Sequence, residues 1–459
     1  MLLFPLVGST RAHSQQIPQQ GIEAGRTSRS FEHEYPGISA VLDYIRASFP
    51  KTVREHKDDN GEMIGVPYSY TVPCIQNDFQ ELYYWDTYFT NLGLNRLGLG
   101  AQARNNVDDL LTLVGKLGFV PNANRWDCAN RSQGPYLALM VRDTLSDKTD
   151  HDWLVHAYGL LTKEYGFWTT QRATDTGLSR FHHSADLEYL RQFYGYLASG
   201  RFKQLSLTSD DEKIRFSSNA LSEAESGWDF TPRFSRKAEN WCAVDLNSNL
   251  YLYEILLAEL SRTLADGQEA SWLEKASTRT ERIQKYLWNG DLGCYTDYDF
   301  VEKEKGTIVS CVTLYPLFAG VATAEQAGSV VKKMRAALEY EHGLVPCEKQ
   351  AHPFVYQWDY PNAWAPLQCI AIQALARYGF ETDARRIAEK YVRTVITNFR
   401  ATGNLWEKYN AVTGGTDVKS EFGYPLPQMV GWTAGVFVFC AEYLEQTGHE
   451  DAGGRSGST

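Results

Sequence analysis

Three short runs of this chain concentrate rings, carboxylates and amides. Gln357-Trp358-Asp359-Tyr360-Pro361-Asn362-Ala363-Trp364-Ala365-Pro366 holds two indoles, a phenol, a carboxylate and two amides, pinned by two prolines. Far upstream, Tyr83-Tyr84-Trp85-Asp86-Thr87-Tyr88 repeats that mixture, and Ser226-Gly227-Trp228-Asp229-Phe230 sets a carboxylate between two rings. Flat rings suit the C–H faces of a sugar, and fixed polar tips suit its hydroxyls. The chemistry these runs point to is carbohydrate chemistry.

Breaking a glycosidic bond needs one carboxylic acid to protonate the departing oxygen. It needs a second carboxylate to act as nucleophile or to activate water. Asp229 is the candidate acid: Gly227 permits a tight turn, and Trp228 and Phe230 would take the carboxyl out of water. Taken alone, an Asp in such a loop is more often a turn or cap residue. Glu407, in Leu405-Trp406-Glu407-Lys408-Tyr409-Asn410, is the candidate base, although an exposed Glu beside Lys408 is the plainer reading of that run. Glu421, after Gly414-Gly415, competes with it for the role. A separation of about 6.5–9.5 Å between the two carboxyls would invert the anomeric centre, and one near 5 Å would retain it.

Further substrate-binding candidates are Asn122, Arg131 and Gln133, whose amides and guanidinium suit vicinal hydroxyls or, more plainly, cap loops. Phe79, Trp85, Asp86, Trp228, Gln357, Trp358, Asp359 and Trp432 complete the set, with core packing an equal reading for Trp85 and Trp358. This chemistry needs no metal or cofactor. The ten histidines show no HExxH spacing, the eight cysteines no CxxC pair, and the glycines no phosphate-binding loop. A net charge of −11 repels phosphate backbones, so nucleic acid is not an expected partner. A small glycoside is.

The elements that must position these groups read as helices. In the 459-residue chain, apolar residues recur at helical spacing over Tyr84–Arg96, Ala103–Leu117, Pro135–Leu145, Asp152–Thr170 and Ala185–Ala198. The pattern resumes over Asp245–Leu264, Ser271–Trp288, Trp364–Tyr378, Thr382–Phe399 and Trp432–Glu445. Richly apolar helices alternate with amphipathic ones, as the inner and outer layers of a helical toroid should. About twelve such helices predict an all-α (α/α)6 barrel. Runs near Cys294–Tyr298 and Ile308–Cys311 read as short strands pairing at its rim, and the charged stretch Thr208–Ser226 reads as a long loop beside the site. The catalytic domain is expected over 35–446, with disordered ends at 1–34 and 447–459. Met1–Ser14 is apolar at its start without a preceding cation, so it supports either a cytoplasmic protein or an exported one with a truncated leader. No run is long enough to span a membrane. The cysteines read as reduced, buried thiols, with one or two disulfides as the alternative for an exported protein, and oligomeric state leaves no mark.

At these residues the chain resembles the trehalase family of inverting glycoside hydrolases. Gln357–Pro366 fits one family signature throughout, and Tyr83-Tyr84-Trp85-Asp86 fits the core of the other. Pro121-Asn122, Arg131-Ser132-Gln133, Ser226–Phe230, Val244-Asp245-Leu246-Asn247 and Glu407-Lys408-Tyr409 follow in the family's order, and the likeness spans about residues 65 to 446. The resemblance implies the (α/α)6 barrel, Asp229 as general acid, Glu407 as general base, and Trp85, Asp86, Asn122, Arg131 and Trp358 around the cleaved sugar. Three family features are missing. Gln76-Asn77-Asp78-Phe79 stands where a Gly-Gly-Arg-Phe is expected, and the Pro-Arg-Pro-Glu-Ser segment ahead of the acid finds no counterpart. Gly423-Tyr424-Pro425-Leu426 replaces Glu-Tyr-Pro-Leu, with Glu421 two residues early. The family default is hydrolysis of α,α-trehalose. An α-glucosidase or α-mannosidase acting on another small glycoside, such as glucosylglycerate or mannosylglycerate, fits the departures as well. A silent sugar-binding protein and a phosphorylase stand further off.

Overall fold

A computed structural model describes residues 29–421 and 424–453. Its helices are α1 (Arg29–Glu34), α2 (Ile38–Ser48), α3 (Tyr84–Arg96), α4 (Gly100–Leu117), α5 (Leu137–Thr144), α6 (His151–Thr170), α7 (Leu187–Ser199) and α8 (Asp210–Glu225). There follow α9 (Val244–Leu264), α10 (Glu269–Arg282), α11 (Tyr315–Ala319), α12 (Ala324–Ala337), α13 (Ala365–Arg377), α14 (Glu381–Thr402) and α15 (Gly431–Gly453). Helices α3, α5, α9, α11, α13 and α15 touch in succession, and α15 returns to α3, so they close an inner ring. Outside it lie α2, α4, α6, α10, α12 and α14. This is the expected (α/α)6 barrel.

The split between layers follows from the sequence. Helix α3 is buried on nearly every side, whereas α10 and α14 bury one face and show charges on the other. The tightest crossing joins α3 to α15, where Gly93 and Gly435 face each other and a Cβ on Gly435 would overlap the Phe89 carbonyl oxygen. Polar groups of the inner helices are paired with outer-layer and loop residues. Tyr84 and Tyr253 each donate to Glu164 at 2.6 Å, and the Arg233 guanidinium spans Asp245 (3.0 Å) and Asp297 (2.9 Å).

Three expectations need correction. Thr208–Ser226 is helix α8 rather than a loop. Its run of acids, Asp210, Asp211 and Glu212, sits in the first turn, where the helix dipole favours negative charge, and Ser209 and Glu212 form a capping box. Two described stretches within the expected disordered ends, 29–34 and 447–453, are helical. Glu32 of α1 accepts from the Gly37 and Ser39 amides, and α15 runs on to Gly453. Residues 1–28, with the leader reading, and 454–459 lie outside the described residues, as does Gly423. The strand runs do not pair with each other: Cys294–Tyr295 pairs with Trp288–Asn289, Tyr298–Asp299 with Trp241–Cys242, and Ser310 bridges Cys347. All eight cysteines are unpaired, and all but Cys128 are buried.

Candidate active site

Every aromatic run ends at one mouth of the barrel. Trp85 opens α3, the Trp228–Asp229 turn links α8 to α9, and Trp358 precedes α13. Gly227, at φ +78°, lets the turn pass so close to Trp85 that a Cβ would lie 2.8 Å from the indole. The Trp358 ring lies flat on Trp364 (3.8 Å, 5°) and stacks on Trp228 (5.3 Å, 20°). Trp85 tilts against Trp358, and Trp432 meets Trp85 edge-on at 5.9 Å. Trp358 and Trp228 are buried, with their faces on Trp364, on one another and, for Trp228, under the Arg233 guanidinium, so these rings make a rigid floor.

Above this floor stand three carboxyl groups. Asp86 is buried and feels both Glu407 and Asp229. The Asp229 side chain keeps about a third of its surface exposed, because Trp228 turns into the floor and Phe230 into a separate cluster instead of shielding it. Arg201 fixes it, with Nη1 donating to Asp229 Oδ2 at 2.7 Å and Nη2 to the Asp229 carbonyl at 2.5 Å. Gln357 Nε2 donates to the same carbonyl at 2.6 Å. Glu407 lies on the short strand Lys408–Asn410 side of the mouth, where that strand pairs with Asn362–Trp364. It is buried rather than solvated: Lys408 Nζ donates to its Oε2 at 2.6 Å, and the Tyr424 hydroxyl donates to its Oε1. Lys408 also reaches Gln357 Oε1 at 2.9 Å and is packed over the Trp364 ring.

The remaining candidates divide. Gln133 Oε1 accepts from the Trp85 amide, Asn122 joins the same wall through its backbone, and Trp432 Nε1 donates to the Glu407 carbonyl. Arg131 donates to Asn130 Oδ1 at 2.9 Å and feels Asp229. Glu421 is buried in a knot: Oε2 accepts from Arg201 at 3.2 Å, while Oε1 accepts from the backbone amides of Phe230 (3.3 Å) and Gln357 (3.2 Å). Asp359 turns toward His352 at 3.5 Å, and Phe79 packs edge-on against Tyr83. His182, His183 and Glu239 form a separate trio of close side chains. His183 Nδ1 accepts from the Ala185 amide, so Nε2 carries the proton and donates toward Ser218. The one lone pair of that tautomer, on Nδ1, is already engaged by the amide.

A model of the trehalase family matches residues 30–445 of the chain. The chain belongs to the trehalase family. It is 32% identical over 424 residues to the periplasmic trehalase of Xanthomonas campestris pv. campestris (strain B100), covering 87% of this chain and 72% of that protein. Neutral trehalase Nth1 from Saccharomyces cerevisiae superposes with a TM-score of 0.69 at 28% identity, over 90% of this chain and 82% of that one. A GH63 mannosylglycerate hydrolase from Thermus thermophilus shares the fold, with a TM-score of 0.58 at 18% identity over 88% and 99% of the two chains. The protein is a glycoside hydrolase built on an (α/α)6 barrel.

Within this trehalase-family site, sequence reasoning missed Arg201. The family's Pro-Arg-Pro-Glu-Ser segment finds no counterpart ahead of Asp229, yet the α7–α8 turn delivers a guanidinium to both Asp229 and Glu421. Its signal was faint: one Arg, 28 residues from its partner, in a stretch without motif.

Burial sets the charge state of several acids. It pushes Asp86 up to about 8, helped by Glu407 and Asp229, and Asp359 to about 7. Asp109 and Glu164 reach about 7, and Glu223 about 8, again chiefly through burial. In the unfolded chain these groups titrate near 4. The folded protein therefore holds protons that the unfolded chain releases. Their stabilisation is full below about pH 4 and is lost as pH rises through 7 to 8. The melting temperature should be higher at pH 6.5 than at pH 8.5, a window above the range in which His352 titrates. A flat or rising profile would show these carboxyls to be ionised in the fold.

Proposed function

We propose that the protein hydrolyses a small α-glycoside with inversion, α,α-trehalose being the family default. Asp229 acts as general acid and Glu407 as general base. The observation that carries this reading is the contrast between the two carboxyls around Asp86. Asp229 is partly exposed, with Oδ2 fixed by Arg201, which leaves Oδ1 to serve the departing oxygen. Glu407 is buried and held by the Lys408 ammonium and the Tyr424 hydroxyl, and its role is to take the proton from water. The water attacks C1 from the face opposite the leaving group, the C1–O bond breaks, and the proton on Asp229 goes to the leaving oxygen. Asp86, protonated at neutral pH, donates to a sugar hydroxyl or ring oxygen without adding a third negative charge. Glu421 is the weaker candidate base, because its two oxygens hold three donors, Arg201 and two backbone amides, against the two donors on Glu407.

A second reading, another small α-glycoside, draws on Asp78 standing where the family places an arginine. Loss of one charged hydrogen bond to a hydroxyl costs about 1.5–3 kcal/mol, roughly ten- to a hundred-fold in affinity. Incubation with trehalose, kojibiose, nigerose, sucrose, glucosylglycerate and mannosylglycerate tests both. The default reading expects trehalose to be cleaved with the highest kcat/KM; preference for another glycoside would move the proposal to the second reading, and cleavage of none would overturn it.

A further inference from the structure

Three side chains that shape the acid's surroundings are Arg201, Asp229 and Gln357, and each has an aromatic neighbour in sequence. Those neighbours, Phe202, Phe230 and Tyr356, leave the main core and meet in a small cluster of their own. At its centre lies Arg236. Its Cζ is 4.0 Å from the Phe202 ring centre, 4.6 Å from Phe354, 5.0 Å from Tyr356 and 5.5 Å from both Phe216 and Phe230. All three guanidinium nitrogens are buried, and none makes a hydrogen bond of full geometry among the described residues. Its polar company is the Tyr356 hydroxyl and Glu223, and burial keeps Glu223 protonated at neutral pH. Ser235 and Arg236 both adopt left-handed backbone, φ +49° and +63°, which folds this side chain back into the cluster.

A buried cation without a counter-ion is unfavourable unless its surroundings repay the lost water. Five ring faces and edges do so here, and a desolvated cation gains most from them. The geometry points to Arg236 as a positioning residue: a cation that gathers the Phe202, Phe230 and Tyr356 loops and thereby sets Asp229 and its Arg201 partner. On the pocket side the same three loops are tied by Glu421, which accepts from Arg201 and from the amides of Phe230 and Gln357. The acid loop is thus clamped between a polar knot in front and an aromatic one behind. The role of Arg236 in turnover rests on the reading of Asp229 as acid; its role in gathering the loops does not.

Hydrogen exchange and kinetics on the full chain separate the two. In Arg236→Met, backbone exchange over 200–208, 229–232 and 352–358 should rise together by about ten-fold or more, while α3, α9 and α15 keep their protection. Arg236→Lys, which keeps the cation, should restore part of that protection, and Phe354→Leu should loosen the same three segments more mildly. Exchange rising in one segment, in none, or throughout the barrel overturns the proposal. Kinetics use trehalose and α-glucosyl fluoride, whose C–F bond breaks to release fluoride without a proton. Arg236→Met should lower kcat on trehalose by about ten-fold or more, with KM nearly unchanged, and lower kcat on the fluoride far less. Equal losses on both would show a general defect and overturn the link to the acid. Should Asp229→Asn spare trehalose turnover, the acid assignment falls, and exchange alone then decides the loop role. If the wild type turns over neither sugar, the functional reading falls and exchange decides in the same way.

Discussion

Asp229→Asn is expected to lower kcat by about 10²–10⁴-fold, the range a positioned general acid contributes, while the melting temperature hardly moves. The substitution is nearly isosteric. Most of what holds the residue is attached to atoms that Asn keeps: the backbone carbonyl still accepts from Arg201 and Gln357, and an amide oxygen can replace Oδ2 opposite Arg201. Arg201 also retains Glu421 as counter-ion. What disappears is the proton for the leaving oxygen. Steady-state kinetics with thermal melting check this; near-wild-type turnover would move the acid elsewhere.

Glu407→Ala is expected to cost a similar factor in kcat, and to differ in two respects. It leaves Lys408 buried with only Gln357 Oε1 and two ring faces, and breaking a buried pair typically costs about 3–5 kcal/mol. The melting temperature should therefore fall, unlike that of Asp229→Asn. The vacated space beside the Lys408 ammonium also suits a small anion. Azide should restore turnover and yield a β-glycosyl azide, because it attacks from the side where the activated water stood. Rescue through an α-glycosyl azide, or an unchanged kcat, would remove Glu407 from the role of base.

The barrel was readable from the sequence because alternation between wholly apolar and amphipathic helices reflects burial on two sides or one. The aromatic runs were equally readable, since rings and carboxyls adjacent in sequence stay adjacent at a barrel mouth. Other features depend on distant pairings. Helix α8 looked like a loop because its opening acids resemble a solvated run until their place in the first turn is known. Arg201 meets Asp229 only because the α7–α8 hairpin folds over the mouth. The same limit applies to Trp358, whose composition suggested a sugar platform although its stacking partners are indoles from the same run and from the acid's turn. Glu421 and Glu407 could not be ranked from their neighbours in sequence. Their hydrogen bonds separate them, since one is tied to two amides and a guanidinium and the other to one lysine and one phenol.

The central claim is inversion by an acid and a base acting on opposite sides of C1. Proton NMR of the first-formed sugar during trehalose cleavage tests it most directly. The account predicts that one glucose of each pair appears first as the β-anomer, before mutarotation, in the wild type and at a much reduced rate in Asp229→Asn. Release of α-glucose alone at early times would mean retention, and would contradict the assignment of Glu407 as a base acting through water.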